Sequence, residues 1–293
     1  MFSSFFCYII PFAPAKVQFF FVILQTNIKN MHIDTEQSPW YDRIWAALIF
    51  FTRIPFWRIH EPSRESYRVV VEYWPLAGWL TGGLMAATLY LCSLWFPNII
   101  AVLAAIALRL LTTGALHEDG LADFFDGFGG GTDRSRILVI MKDSHIGTFG
   151  VLGLIMYVLL LAATLFSMTP ALACLAVIAA DPFAKMLAAG LITLPYARSE
   201  EEAKAKTVYR SLGWKAVAGL ALQGLLPMAV VMYGVQCTIC DAMLILLIPA
   251  LVMLFLYRYI RHWLQGYTGD CCGAVCLMVE LATLLAICSR LSI

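Results

Sequence analysis

The sequence predicts an all-α fold: a polytopic integral membrane bundle of about seven transmembrane helices, preceded by an N-terminal interfacial or re-entrant helix. Three observations carry this expectation. Of the 293 residues, 61% are hydrophobic and only 13% charged, with a mean hydropathy of +0.80; a soluble domain is about half apolar and about a quarter charged. Seven stretches are long and apolar enough for a bilayer, which takes about 20 helical residues: Trp74–Phe96, Ile99–Leu116, Phe149–Met168, Ala171–Leu194, Lys215–Val235, Ala242–Tyr257 and Cys271–Cys288, the sixth being the shortest. The basic residues between those stretches alternate strictly from one side to the other.

Taken in order, the apolar Ile9–Leu24 lacks a preceding basic region and a following small-residue cleavage site, so a secretory signal is not expected. The chain from Met31 onward reads as a complete protein. Residues 1–30 are therefore expected to be an atypical extension, with Met31 the alternative start and 31–293 a single membrane-embedded domain. The segment Ile44–Trp57 (IWAALIFFTRIPFW) is apolar but short, interrupted by Arg53 and Pro55, and reads as a helix lying in or dipping into the interface. Gly82, Gly83, Pro182, Pro227 and Pro249 fall inside spans, where bundled membrane helices tolerate them.

The loops set the orientation. Arg58, Arg64 and Arg68 precede the first span; Arg134, Arg136 and Lys142 follow the second; Arg198, Lys204, Lys206 and Arg210 follow the fourth; Arg258 and Arg261 follow the sixth. The intervening connections at Pro97-Asn98, Thr169-Pro170 and Gln236–Asp241 hold no Lys or Arg, so the positive-inside rule places the long loops in the cytoplasm. A net charge of +1 leaves no electrostatic footprint for nucleic acid. The nine cysteines scatter through apolar stretches, where a free thiol behaves as a small hydrophobe. Cys237 and Cys240 have a redox or metal spacing but no partner pair, and read as packing.

Chemistry concentrates after the second span, in His117-Glu118-Asp119-Gly-Leu-Ala-Asp123-Phe-Phe-Asp126-Gly127. On a helix, offsets of four and seven place Asp119, Asp123 and Asp126 within a sector of roughly 60°. Carboxylates stacked on one face repel each other unless a cation lies between them. Hard divalent ions take oxygen ligands, and Mg²⁺ characteristically uses one or two carboxylates together with substrate phosphates. Glycines at 127 and 129–131 allow close backbone approach to a bulky or phosphorylated ligand. The alternative is a solvated acidic turn, against which stands the density of this patch in an acid-poor chain. Two further polar patches are Lys142-Asp143-Ser144-His145-Ile-Gly147-Thr148 and Gly266-Tyr-Thr268-Gly269-Asp270. Glu280, Asp181, Lys185 and Arg109 lie within spans, where charge is costly and marks function by default. For Asp181 and Lys185 mutual neutralisation is the alternative, and for Arg109 snorkelling.

The run HEDGLADFFDG at 117–127, then KDSHIGTFG at 142–150 and GYTGD at 266–270, resembles the cobalamin synthase family, the adenosylcobinamide-GDP ribazoletransferases. The similarity extends from about Trp45 to the C-terminus. It implies a Mg²⁺-dependent enzyme of the bacterial inner membrane. That enzyme joins adenosylcobinamide-GDP to α-ribazole or its 5′-phosphate and releases GMP. There are departures: Glu118 stands at a commonly apolar position, His145 where Arg is common, and the Asp181–Lys185 region where a Ser-Arg pair is expected.

Carried onto this chain, the reaction assigns Asp119, Asp123 and Asp126 to metal, with Asp143 and Asp270 completing the shell. Asp126 is the first choice, His117 the second, for accepting the ribazole hydroxyl proton, and Asp123 shares the catalytic face. Lys142, Ser144, Thr268 and Gly269 are expected to meet the substrate's phosphates. Nothing in the sequence sets the oligomeric state. Two rival readings are a CDP-alcohol phosphotransferase, whose Asp-Gly-x-x-Ala-Arg pattern is broken here by Asp123, and a transporter using Asp181, Lys185 and Glu280. No inverted repeat supports the latter.

Overall fold

The computed structural model describes residues 39–198, 209–210 and 212–291. The extension at 1–30 with its alternative start at Met31, and the loop residues Lys204 and Lys206, lie outside the described residues. The described part falls in one compact unit, Ser38–Ile293, and is helical nearly throughout, as expected.

Helix α1 (Trp40–Phe51) buries Ala46, Ala47, Ile49 and Phe51. It stops short of the Arg53 and Pro55 interruption: Thr52 is extended, and the Arg53 N–H donates to Thr112 O at 2.7 Å. A 3₁₀ turn (Phe56–Arg58), the short α2 (Arg64–Arg68) and a second 3₁₀ turn (Val70–Tyr73) lead into α3 (Trp74–Ser93).

The second span differs from its expected course. Helix α4 (Asn98–Thr113) ends at Gly114, whose φ of 65° is a left-handed C-terminal cap, and Ala115 continues left-handed at 55°. The chain restarts as α5 (Leu116–Gly130), bent 90° from α4. The sixteen residues of α4 are only about 24 Å long, short of a hydrocarbon core of about 30 Å. The expected straight helix Ile99–Leu116 is therefore broken at the Gly114–Ala115 corner. The remaining helices are α6 (Arg134–Ile140), α7 (Thr148–Phe166), α8 (Pro170–Ala188, continued as a 3₁₀ turn to Thr193), α9 (Trp214–Gly234), α10 (Ile239–Leu264) and α11 (Gly269–Leu291). Among the described residues, six helices are long and apolar enough to cross a membrane, and up to seven when the bent pair is counted as one span. Pro182, Pro227 and Pro249 sit inside helices.

Helices α8 and α11 form the centre, each with 67% of its most apolar window buried, against 28% for α9 and 22% for α10. The last two leave Leu222, Leu226, Val230, Leu251 and Phe255 uncovered, as lipid-facing helices do. Helix α3 packs most closely on α8, because Gly78 presents no side chain there. A Cβ at Gly78 would lie 2.9 Å from Pro182 Cα, the small-residue contact by which membrane helices approach each other.

Candidate active site

Helix α5 carries the three aspartates, and its surroundings sort them. Asp119 is exposed, Asp123 half-buried and Asp126 buried. Asp126, expected as metal ligand and proton acceptor, is bonded to the backbone at the start of α7. One carboxylate oxygen accepts the Gly147 N–H at 2.7 Å and the other the Gly150 N–H at 2.8 Å. These are donors at the start of α7 that the helix cannot satisfy itself, so Asp126 caps α7 from across the bundle. Glycine is required at both contacts: a Cβ at Gly147 would come 2.5 Å from Asp126 Oδ1, and one at Gly150 would collide with Oδ2. The glycines of IGTFG were the available signal for this cap.

Gly120, between Asp119 and Asp123 on α5, lies against the Asp270 backbone, its would-be Cβ 3.0 Å from Asp270 O, so this turn of α5 crosses the first turn of α11. Asp270 is buried. Thr268, expected on a ligand, is 1% exposed and turned inward: its hydroxyl accepts the Cys271 N–H at 3.3 Å and lies 3.4 Å from Cys271 Sγ. It caps α11 instead. Gly269 is exposed, with open space around its Cα.

Lys142, Asp143 and Ser144 are exposed on the turn after α6. The His145 ring lies 2.7 Å and its N–H 3.0 Å from Asp143 Oδ1. These two bonds hold the Asp143 carboxyl below the usual carboxylate range. Among the described residues, no group of three or more His, Cys, Asp or Glu side chains stands ready to hold a metal ion. The expected five-aspartate shell is not assembled.

Beneath the crossing lies a buried polar centre. Arg109, 5% exposed, does not snorkel: it pairs with Glu280 at 2.6 Å and Glu118 at 3.4 Å, and donates to Tyr157 Oη at 2.5 Å. Lys185 and Asp181 pair with each other, as their spacing predicts, and Thr81 donates to Asp181 at 2.5 Å. His117 stacks on Phe51 at 5.3 Å, and its Nε2 is buried without a hydrogen-bond partner. It lines a cavity of about 10 Å³ with Thr81, Arg109, Asp181, Lys185 and Glu280, room for roughly one water molecule. In this place His117 touches the bundle interior rather than the aspartate face.

Two arginines read from the sequence only as loop charges hold the loops around the crossing. Arg134 donates to Leu264 O at 2.7 Å and Ala197 O at 2.9 Å; Arg198 donates to Leu138 O at 2.9 Å. They join α6, the 194–198 strand-like segment and the α10–α11 turn, where Ala197 N–H also meets Tyr267 O at 2.8 Å.

With this geometry in place, comparison with known proteins decides the family. The profile of the cobalamin-5-phosphate synthase family matches residues 43–288, which include every motif described above. The chain belongs to that family. Three adenosylcobinamide-GDP ribazoletransferases show how near its relatives stand. The protein from Leptospira interrogans is 33% identical over 258 residues, 86% of this chain and 96% of its own length. That from Shewanella oneidensis is 35% identical over 254 residues, 84% of this chain and 95% of the relative. That from Ralstonia nicotianae is 39% identical over 246 residues, 82% of this chain and 92% of the relative. No solved structure matches. As a cobalamin-5-phosphate synthase family member, the chain is not read further as a CDP-alcohol phosphotransferase or a transporter.

Proposed function

We propose that this protein transfers the adenosylcobinamide-phosphoryl group from adenosylcobinamide-GDP to a free ribose hydroxyl of α-ribazole or α-ribazole 5′-phosphate, releasing GMP. The observation that supports this reading is the α5–α11 crossing inside the matched family span, where Gly120, between Asp119 and Asp123, lies against the Asp270 backbone. The alternation of basic loops supports placing that crossing on the cytoplasmic face of a bacterial inner membrane.

The donor set there is all oxygen. An incomplete protein cage suits Mg²⁺, which is held by one or two carboxylates and finished by substrate phosphates and water. Asp119 and Asp270 would offer that ion one or two carboxylates, and when bound it would neutralise the charge of the diphosphate. In the transfer, a free ribose hydroxyl oxygen of the ribazole forms a bond to the phosphorus bearing the corrinoid. The bond from that phosphorus to the bridging oxygen breaks, and GMP leaves with that oxygen. Asp123, half-buried between exposed Asp119 and the committed Asp126, takes the hydroxyl proton. Lys142 and Ser144 offer a cation and a hydroxyl from the exposed turn before α7. Gly269 opens the N-terminus of α11, whose positive end favours phosphate. Asp126 acts at one remove, by fixing α7 against α5. Positioning and electrostatics supply nearly all the catalysis in such a transfer.

The test is the purified full-length protein in lipid nanodiscs with adenosylcobinamide-GDP, α-ribazole and Mg²⁺. One GMP should appear per corrinoid joined. Turnover of a CDP-alcohol, or no GMP at any Mg²⁺ concentration, would overturn the reading.

A further inference from the structure

The 90° corner between α4 and α5 is made by two left-handed residues, Gly114 and Ala115. Side chains bridge it. Arg109, one turn before the corner, reaches Glu118 one turn after it, at 3.4 Å. The same guanidinium takes Glu280 of α11 at 2.6 Å and Tyr157 of α7 at 2.5 Å. Outside the corner, the Arg53 side chain lies over Gly114, and its N–H is bonded to Thr112 O.

We propose that Arg109 is a positioning residue: through Glu118 and Glu280 it fixes the first turn of α5 against α11, and thereby where Asp119 stands relative to Asp270. The inference rests on the metal-site reading above. Arg109, Glu118 and Glu280 are 5%, 6% and 4% exposed. Charges so buried are weak evidence for stability, because apolar packing of the same volume would hold the helices as well. What a planar fork of donors adds is direction, three partners on three helices at set angles. Two of those partners belong to the elements that carry the aspartates. Glu118 directly precedes Asp119, and Glu280 lies about three turns along α11 from Asp270. The other end of the acidic stretch is held by the Asp126 cap on α7. Asp119 and Asp123 thus lie on the part of α5 between two fixed points.

The test compares Arg109→Gln, Arg109→Lys and Glu118→Gln in the full-length protein in nanodiscs, reading kcat, the KM for adenosylcobinamide-GDP, half-saturating Mg²⁺ and thermal midpoint. Arg109→Gln should raise half-saturating Mg²⁺ about tenfold, the order seen when a ligand loses its supporting contact. The nucleotide KM should stay within about twofold, and Lys should restore part of the loss. Combined with Asp119→Asn, Arg109→Gln should add almost nothing, because both act on one element. Glu118→Gln keeps the Arg109–Glu280 pair, so it supplies the same readout should Arg109→Gln fail to accumulate. A lowered thermal midpoint with unchanged kcat and Mg²⁺ dependence would overturn the proposal alone. Unchanged Mg²⁺ dependence in Asp119→Asn itself would instead overturn the site reading, and the proposal with it.

Discussion

The Asp126 carboxylate lies 2.8 Å from the backbone nitrogen of Gly150, and its other oxygen lies 2.7 Å from that of Gly147. One side chain on α5 thereby satisfies the exposed donors of α7 and places a negative charge at that helix's positive end. An aspartate expected at a metal from its spacing is a joint between two helices.

Asp126→Asn should therefore weaken the fold more than the chemistry. Losing the charge at the cap costs about 1–2 kcal/mol, which a thermal melt in nanodiscs would read, while half-saturating Mg²⁺ stays at its wild-type value. Gly150→Ala should be worse on both counts, since its Cβ collides with Asp126 Oδ2.

The α3–α8 contact offers an internally controlled comparison. Gly78→Ala puts a methyl group 2.9 Å from Pro182 backbone atoms that cannot turn aside, whereas Gly83→Ala meets nothing within 4 Å. The first should cost about 1–3 kcal/mol. The second should be neutral or gain a few tenths of a kcal/mol from helix propensity. Equal melts for the two variants would show that this helix contact is looser than described.

The buried Asp181–Lys185 pair should be strongly non-additive. Asp181→Leu alone strands a buried ammonium and should cost about 3–5 kcal/mol, as should Lys185→Met, which strands a carboxylate. The double variant should recover most of either loss. A double-mutant cycle in thermal stability reads the coupling directly, and simple additivity would contradict the pairing.

These contacts show which parts of the fold were legible. Hydropathy located each crossing helix because lipid selects for apolar length, and it was accurate at α7 and α9 to within two residues. It ran α4 through to Leu116 because averaging over a window does not register backbone handedness, although Gly114 followed by a polar motif was a helix-stop signal. It cut α10 short at Tyr257 because Arg258 and Arg261 end the apolar stretch without ending the helix. In the site, helical spacing put Asp119, Asp123 and Asp126 on one element correctly, but spacing carries no information about what faces that element. The arrival of α7 at Asp126, and of Glu280 at Arg109, are tertiary contacts between residues 21–24 and 171 positions apart.

The loop after α6 has a pH signature. The bonds from His145 hold Asp143 below the usual carboxylate range, so its ionised form persists as pH falls below the ordinary midpoint of about 3.9. The stabilisation linked to this carboxylate is present above that midpoint and lost as pH falls through the lowered one. In a carboxyl ¹³C NMR titration, His145→Ala should move the Asp143 midpoint upward. An unmoved midpoint would mean that the 2.7 Å contact does not persist.

The most direct test of the account is GMP release as a function of Mg²⁺ in Asp119→Asn and Asp123→Asn, measured beside Asp126→Asn. The first two should lose about 10²–10⁴-fold in turnover, with half-saturating Mg²⁺ raised where turnover remains, while the third keeps its Mg²⁺ dependence. Wild-type turnover and Mg²⁺ dependence in both Asp119→Asn and Asp123→Asn would contradict it.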